Sequence, residues 1–274
     1  MANRKIIPQF VIILFAIDFL FCFFYAVNFL MGSPSEQITR LLDLSGEMNL
    51  PTWYSSVQWF CAAFLFGIFA IRNFDWDSKR SWVLLLLPLV FLVFSIDEIA
   101  GIHEYLGVKS DALLPTGNRK DILFKTTGIW FVVLGIPVLL LCLFILSFMK
   151  KFLMRPPHVF RKMMIGVSIF FGGAIGMEIL SNIPSSKNFG YILQNILEEG
   201  MEMGGVTVLL WAAHDLLLAN GFTWHLDTVA PGSVLEVNPC RSAVGPAVPT
   251  TGRVSSPSTI AGSGISRRST GSVA

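Results

Sequence analysis

Six mostly apolar runs dominate this chain. They are Ile6–Met31, Val57–Ile71, Trp82–Gly101, Thr127–Phe148, Met163–Leu180 and Tyr191–Leu218. A helix needs roughly 20 apolar residues to cross the hydrocarbon of a bilayer. Val57–Ile71 is short for that unless Trp53 and Tyr54 form its interfacial belt. The apolar fraction is 53% against a charged fraction of 14%, which argues against an ordinary soluble domain. The pattern predicts an all-α, polytopic membrane helical bundle with six transmembrane helices over 1–226. Ile6–Met31 is too long for the core of a signal peptide and shows no clear cleavage site, so it reads as a retained helix.

The bilayer is therefore the expected partner. A net charge of +2 offers no strongly basic face, so no nucleic-acid partner is expected. Cys22, Cys61, Cys142 and Cys240 form no CxxC pair, which argues against a zinc ribbon and a disulfide framework. The segment 227–274 is rich in Ser, Gly, Pro, Thr and Val and carries no aromatic residue. It offers too little apolar surface to offset its ordering entropy and reads as a disordered tail.

Lysine and arginine set the expected orientation. Arg4 and Lys5, then Arg72, Lys79 and Arg80, then Lys150, Lys151, Arg155, Arg161 and Lys162 fall on one side. The connection with Lys109, Arg119, Lys120 and Lys125 weakens this bias without reversing it. Both termini are expected in the cytoplasm by the positive-inside rule.

Against this apolar background the carboxylates stand out. Ser95-Ile96-Asp97-Glu98-Ile99-Ala100-Gly101-Ile102-His103-Glu104 closes the third run. Glu178 sits near the end of the fifth, and Glu198, Glu199 and Glu202 lie about two turns into the sixth. A charge near mid-bilayer costs at least about 2.5–3.5 kcal/mol on insertion scales, so such groups face the bundle interior. In the predicted topology all three sets fall in the outer half, at similar depth. They are expected to share one cavity.

Helical phase orders the candidates. Asp97 and Glu104 are seven apart and share a face, and so do Glu199 and Glu202. Glu98 and His103 are roughly 140° apart on a straight helix and converge only if the helix loosens at Gly101. Asp18, inside the first run, admits two readings: a hydrogen bond to a neighbouring helix, or a part in the site. His214-Asp215 reads as an interfacial pair and His158 as solvated. Gly172, Gly173, Gly176 and Gly204-Gly205 read as close helix contacts.

Clustered carboxylates in low dielectric must be protonated, paired or metal-bound. A set of Asp97, Glu98, His103, Glu104, Glu178, Glu199 and Glu202 suits a divalent ion such as Zn, Mn or Fe. Neither ExxH nor HExxH is present, so a dinuclear iron centre has weak support. Three functions remain open: a divalent-metal-binding enzyme, a proton- or cation-coupled transporter, and a structural or assembly protein with a polar packing cluster. Substrate and protein partner are not legible.

The segments Ser-Ile-Asp97-Glu98-x4-His103-Glu104, Gly-Met-Glu178 and Glu198-Glu199-x-x-Glu202-Met203-x-Gly205 resemble a family of uncharacterised bacterial multi-pass membrane proteins. Its motifs are Leu-Asp-Glu…His-Glu, Gly-x-Glu and Glu-Glu-x-x-Glu-Met-x-Gly. The likeness covers roughly residues 1–220, with Ile96 in place of the usual Leu. It implies a bacterial inner-membrane location and these acidic positions as a signature, and it supplies no reaction.

Overall fold

The computed structural model describes residues 7–110, 129–153, 156–181 and 189–222. The tail beyond 226 and most of the predicted polar loop Tyr105–Lys125 lie outside them. Among the described residues the fold is all-helical. Six helices are long and apolar enough to cross a membrane, the makeup of a multi-pass membrane protein.

The first, α1 (Gln9–Leu30), is followed by the short α2 (Glu36–Leu41) and then by α3 (Leu50–Arg72) and α4 (Lys79–Ala100). After α4 comes α5 (Ile102–Ser110), separated from it only by Gly101. A π-helical turn, Phe131–Gly135, leads into α6 (Ile136–Leu153). Next, α7 (Pro157–Phe171) runs through a second π turn, Gly172–Met177, into the single turn α8 (Glu178–Leu180). Finally, α9 (Phe189–Ala219) is the longest element.

Two helices, α3 and α7, start a good turn or more before the runs Val57–Ile71 and Met163–Leu180, for one shared reason. Both Pro51 and Pro157 look like breakers, yet each occupies the first turn of its helix. Proline costs nothing there, because that N–H has no helical partner and the fixed φ suits the turn. In α3, Asn49 adds a side-chain cap by accepting from the Thr52 N–H at 3.0 Å. Pro137 also does no damage. It follows the π turn, a common way for a helix to absorb a local fault in its ladder.

The core is packed around Trp59, Phe66, Phe91, Met163 and Leu209, all essentially buried. At its centre α7 and α9 approach closely. A Cβ on Gly205 would lie 2.7 Å from the Phe170 backbone nitrogen, and one on Gly173 would lie 2.7 Å from the Glu198 carbonyl. Only a missing side chain permits this approach. Gly176 differs: a Cβ there would meet nothing within 4 Å, so it is not a contact glycine.

Two polar networks tie helices together. Asp18 is buried and accepts from the Tyr54 hydroxyl at 2.8 Å, the Gln58 amide at 3.1 Å and the Thr207 hydroxyl at 2.9 Å. It therefore joins α1, α3 and α9, the hydrogen-bonding one of its two readings. Toward the end of α9, Asp215 accepts from Lys162 of α7 at 2.6 Å and faces His158 at 3.1 Å. Lys162 also lies over the Trp211 ring at 3.3 Å. His158 is thus engaged against Asp215, with about a quarter of its side chain exposed, rather than free in solvent. The Asp215 carboxylate on α9, which Lys162 also reaches, draws it in.

Candidate functional site

The site is built at the end of the bundle where α4 stops. Reciprocal bonds fix α4 on α3 just before that end. The Ser56 hydroxyl donates to the Ser95 carbonyl at 2.7 Å, and the Ser95 hydroxyl donates to the Ser56 carbonyl at 2.9 Å. Nearly two turns later Gly101 takes a left-handed conformation, φ +56°, and its N–H closes on the Asp97 carbonyl at 2.8 Å. This is the usual helix-ending role of glycine. A new helix, α5, starts at the next residue.

The break turns His103 back onto Asp97. One carboxylate oxygen of Asp97 accepts the His103 backbone N–H at 2.8 Å, and the other lies 2.8 Å from ring atom Nδ1. Asp97 thus caps α5 and fixes the imidazole at once. Behind the ring stands Trp130, with centroids 5.8 Å apart. Glu98 lies beside Ser55 and Trp59 of α3 and within electrostatic reach of His103 and Asp97.

The third contributor comes from the connection between α2 and α3. Asp43 forms a side-chain turn with the Ser45 N–H at 3.1 Å. The Asn49 amide donates to the Asp43 carbonyl at 2.6 Å and to the Gly46 carbonyl. Met48 takes the left-handed region, φ +56°, unusual for a residue with a side chain. This self-tied loop delivers Glu47 over Gly101, where a Cβ would meet the Glu47 carboxylate at 2.5 Å.

Glu47, His103 and Glu104 consequently form one group. Each can offer a ligand atom, and these atoms lie within 4.8 Å of one another. Among the described residues no other set of three or more such side chains is this close. Burial, and then the charges of Glu104 and Asp97, raise the Glu47 pKa, while His103 partly opposes them. Burial by itself would lower that of His103. The hydrogen bond and charge of Asp97, with Glu98 and Glu104 behind them, outweigh it and raise the pKa. Glu47 and His103 therefore hold their protons more tightly than they would in water, as expected where carboxylates crowd around them.

Of the seven residues proposed from sequence, Asp97, Glu98, His103 and Glu104 come together here. Glu199 and Glu202 do not join the group. Glu199 acts electrostatically on Cys22 of α1, and Glu202 packs on Gly173 of the second π turn. The side chain of Glu178 lies outside the described residues. Glu47 is the residue that sequence reasoning missed. Its one legible hint was the turn-and-cap pattern Asp43-x-Ser45-Gly46 and Asn49-x-x-Thr52 on either side of it.

A family model described as a domain of unknown function, DUF8692, matches residues 10–218. No curated protein and no solved structure matches the chain.

Proposed function

The chain belongs to the DUF8692 family, whose description assigns no activity, and we propose that it binds a divalent metal ion through Glu47, His103 and Glu104. The observation that carries this reading is the mutual closeness of three ligand atoms, within 4.8 Å, contributed by two separate connections of the bundle.

The support is chemical as well as geometric. Two carboxylates and one imidazole suit an intermediate ion such as Zn, Mn or Fe. Metal-binding histidines characteristically give their second ring nitrogen to a carboxylate, which fixes the tautomer and strengthens the ligand. Asp97 holds that position on Nδ1, leaving Nε2 to ligate. Three protein ligands also leave a coordination position for water or substrate, the arrangement of catalytic rather than structural sites. A bound water would be acidified there, and hydrolysis is the reaction such a water performs. By the lysine and arginine bias, this end of the bundle faces away from the cytoplasm.

The test is metal content of the purified chain, by mass spectrometry, for the natural sequence, His103→Ala and Glu199→Gln. We expect stoichiometric metal in the first, loss in the second, and no change in the third. Equal metal in all three would refute the assignment.

A further inference from the structure

We infer that the end of the bundle where α6 stops and α7 starts binds anionic phospholipid headgroups, at Lys150 and Arg161. The inference is independent of the metal reading. It concerns the far end of α6 from Trp130 and His103.

Depth is the first support. Lys150 is the last residue of the apolar stretch Phe131–Lys150, and Arg161 lies inside the stretch Pro157–Met177, just past its first turn. The covalent chain therefore ties both charges to the hydrocarbon boundary, and both side chains are exposed. Long basic side chains in that position lay their stems along the apolar surface and extend their charge to the headgroups. The Lys150 ammonium lies 5.9 Å from the Phe160 ring centroid, which brings the end of α6 beside the first turn of α7.

Charge is the second. Residues 122–177 contain no Asp or Glu at all. Asp215 of α9, the carboxylate that α7 does meet at this end, is held by Lys162 at 2.6 Å and His158 at 3.1 Å. Among the described residues neither Lys150 nor Arg161 has an ion-pair partner. The remaining segments that join the helices here do not supply the missing charge. Residues 1–6 contain Arg4 and Lys5 and no carboxylate, residues 154–155 add Arg155, and in residues 223–274 Asp227 and Glu236 are outnumbered by four arginines. Uncompensated cations at headgroup depth favour anionic over zwitterionic lipid, by roughly fivefold in association for each Lys or Arg.

An aromatic cluster on the neighbouring connection marks the same level. Phe74, Trp76 and Trp82, between the end of α3 and the start of α4, pack edge to face with centroids 5.0, 5.2 and 5.8 Å apart. Tryptophan gathers at the membrane–water interface. Asp75 and Asp77 on this connection are outnumbered by Arg72, Lys79 and Arg80, so it brings no surplus of negative charge to Lys150 and Arg161.

The probes are phosphatidylglycerol and phosphatidylcholine, each titrated into the full chain in sugar-headgroup detergent, with the first bound lipid counted by native mass spectrometry. Phosphatidylglycerol should bind at least about fivefold more tightly. Lys150→Gln with Arg161→Gln should bring the two lipids level, leaving phosphatidylcholine affinity and helix content unchanged. Lys150→Arg with Arg161→Lys should keep the preference. So should Arg40→Gln with Lys109→Gln, which removes the same charge at the other end. Equal binding of both lipids by the natural chain, or full preference in the double glutamine variant, overturns the inference. A preference lost equally in the Arg40 and Lys109 pair also overturns it, because net charge and not this place would then be responsible. Should the double glutamine variant lose helix content, Arg161→Gln is read alone: a smaller drop is expected, and no drop overturns the inference.

Discussion

Asp97 holds His103 at two points, taking the backbone N–H on one carboxylate oxygen and facing ring Nδ1 with the other, both at 2.8 Å. A single side chain at the last turn of α4 therefore sets both where α5 begins and which way its imidazole faces. The relationship depends on Gly101. Without a left-handed residue at that place, α4 would run on straight and carry His103 away from Asp97.

Replacing Asp97 should weaken metal binding without removing a ligand. In Asp97→Asn the amide keeps the size and one acceptor but no longer stabilises a ring that donates through Nδ1. Supporting carboxylates of this kind are worth about 10–100-fold in affinity. We expect a loss in that range by metal titration, with the helix content unchanged by circular dichroism.

Gly101→Ala should act through Glu47. The left-handed conformation costs an L-residue roughly 1–2 kcal/mol, and the new methyl group would meet the Glu47 carboxylate. Melting in detergent should fall slightly, and metal affinity should fall far more. A variant that melts early but binds metal normally would show that Glu47 does not need this place.

Proton binding should compete with metal. Both Glu47 and His103 have raised pKa values in the folded chain, so the folded state holds more protons than the unfolded one. By linkage, their contribution to stability falls as pH rises, for Glu47 from about 4.5 upward and for His103 from about 6.5 upward. Metal binding displaces those protons and reverses the trend. Metal-free protein should therefore melt lower at about pH 8 than at about pH 6, while saturating metal should close or invert the gap. At 100 times its dissociation constant the ion adds about 2.7 kcal/mol. Parallel pH dependence with and without metal would speak against shared groups.

Asp18 is assigned to the fold and not to the site. Asp18→Ala would leave Tyr54, Gln58 and Thr207 without their shared acceptor. Hydrogen bonds between membrane helices average about 0.6 kcal/mol each, so the loss should come to about 2 kcal/mol in unfolding measurements. Metal content should be unaffected.

The six long helices were legible because length and hydropathy are strong signals that neighbouring elements do little to change. Helix starts were not, because Pro51 and Pro157 carry opposite meanings in the first turn and in the interior. The Asp97–His103–Glu104 segment was legible as charge out of place in an apolar run, and Gly101 gave a reason for it to fold back. Glu47 left no such mark. A lone glutamate in a polar connection looks like any solvated residue, and only the turn at Asp43, the cap at Asn49 and the left-handed Met48 bring it over Gly101. The carboxylates of α9 show the converse. Matching depth in a sequence does not by itself make a ligand group: among the described residues Glu199 and Glu202 are not part of the Glu47–His103–Glu104 group, while Glu199 acts electrostatically on Cys22 and Glu202 packs on Gly173.

Glu47 is the residue on which the proposed metal centre turns, since among the described residues it reaches His103 and Glu104 from a separate connection of the chain. Isothermal titration of Zn2+ or Mn2+ into the metal-free chain, compared with Glu47→Gln, reads its part directly. One ion should bind the natural chain, and the variant should bind at least tenfold more weakly while keeping its helix content and melting behaviour. Equal affinity in the two proteins, or no binding in either, would contradict a metal centre at Glu47, His103 and Glu104.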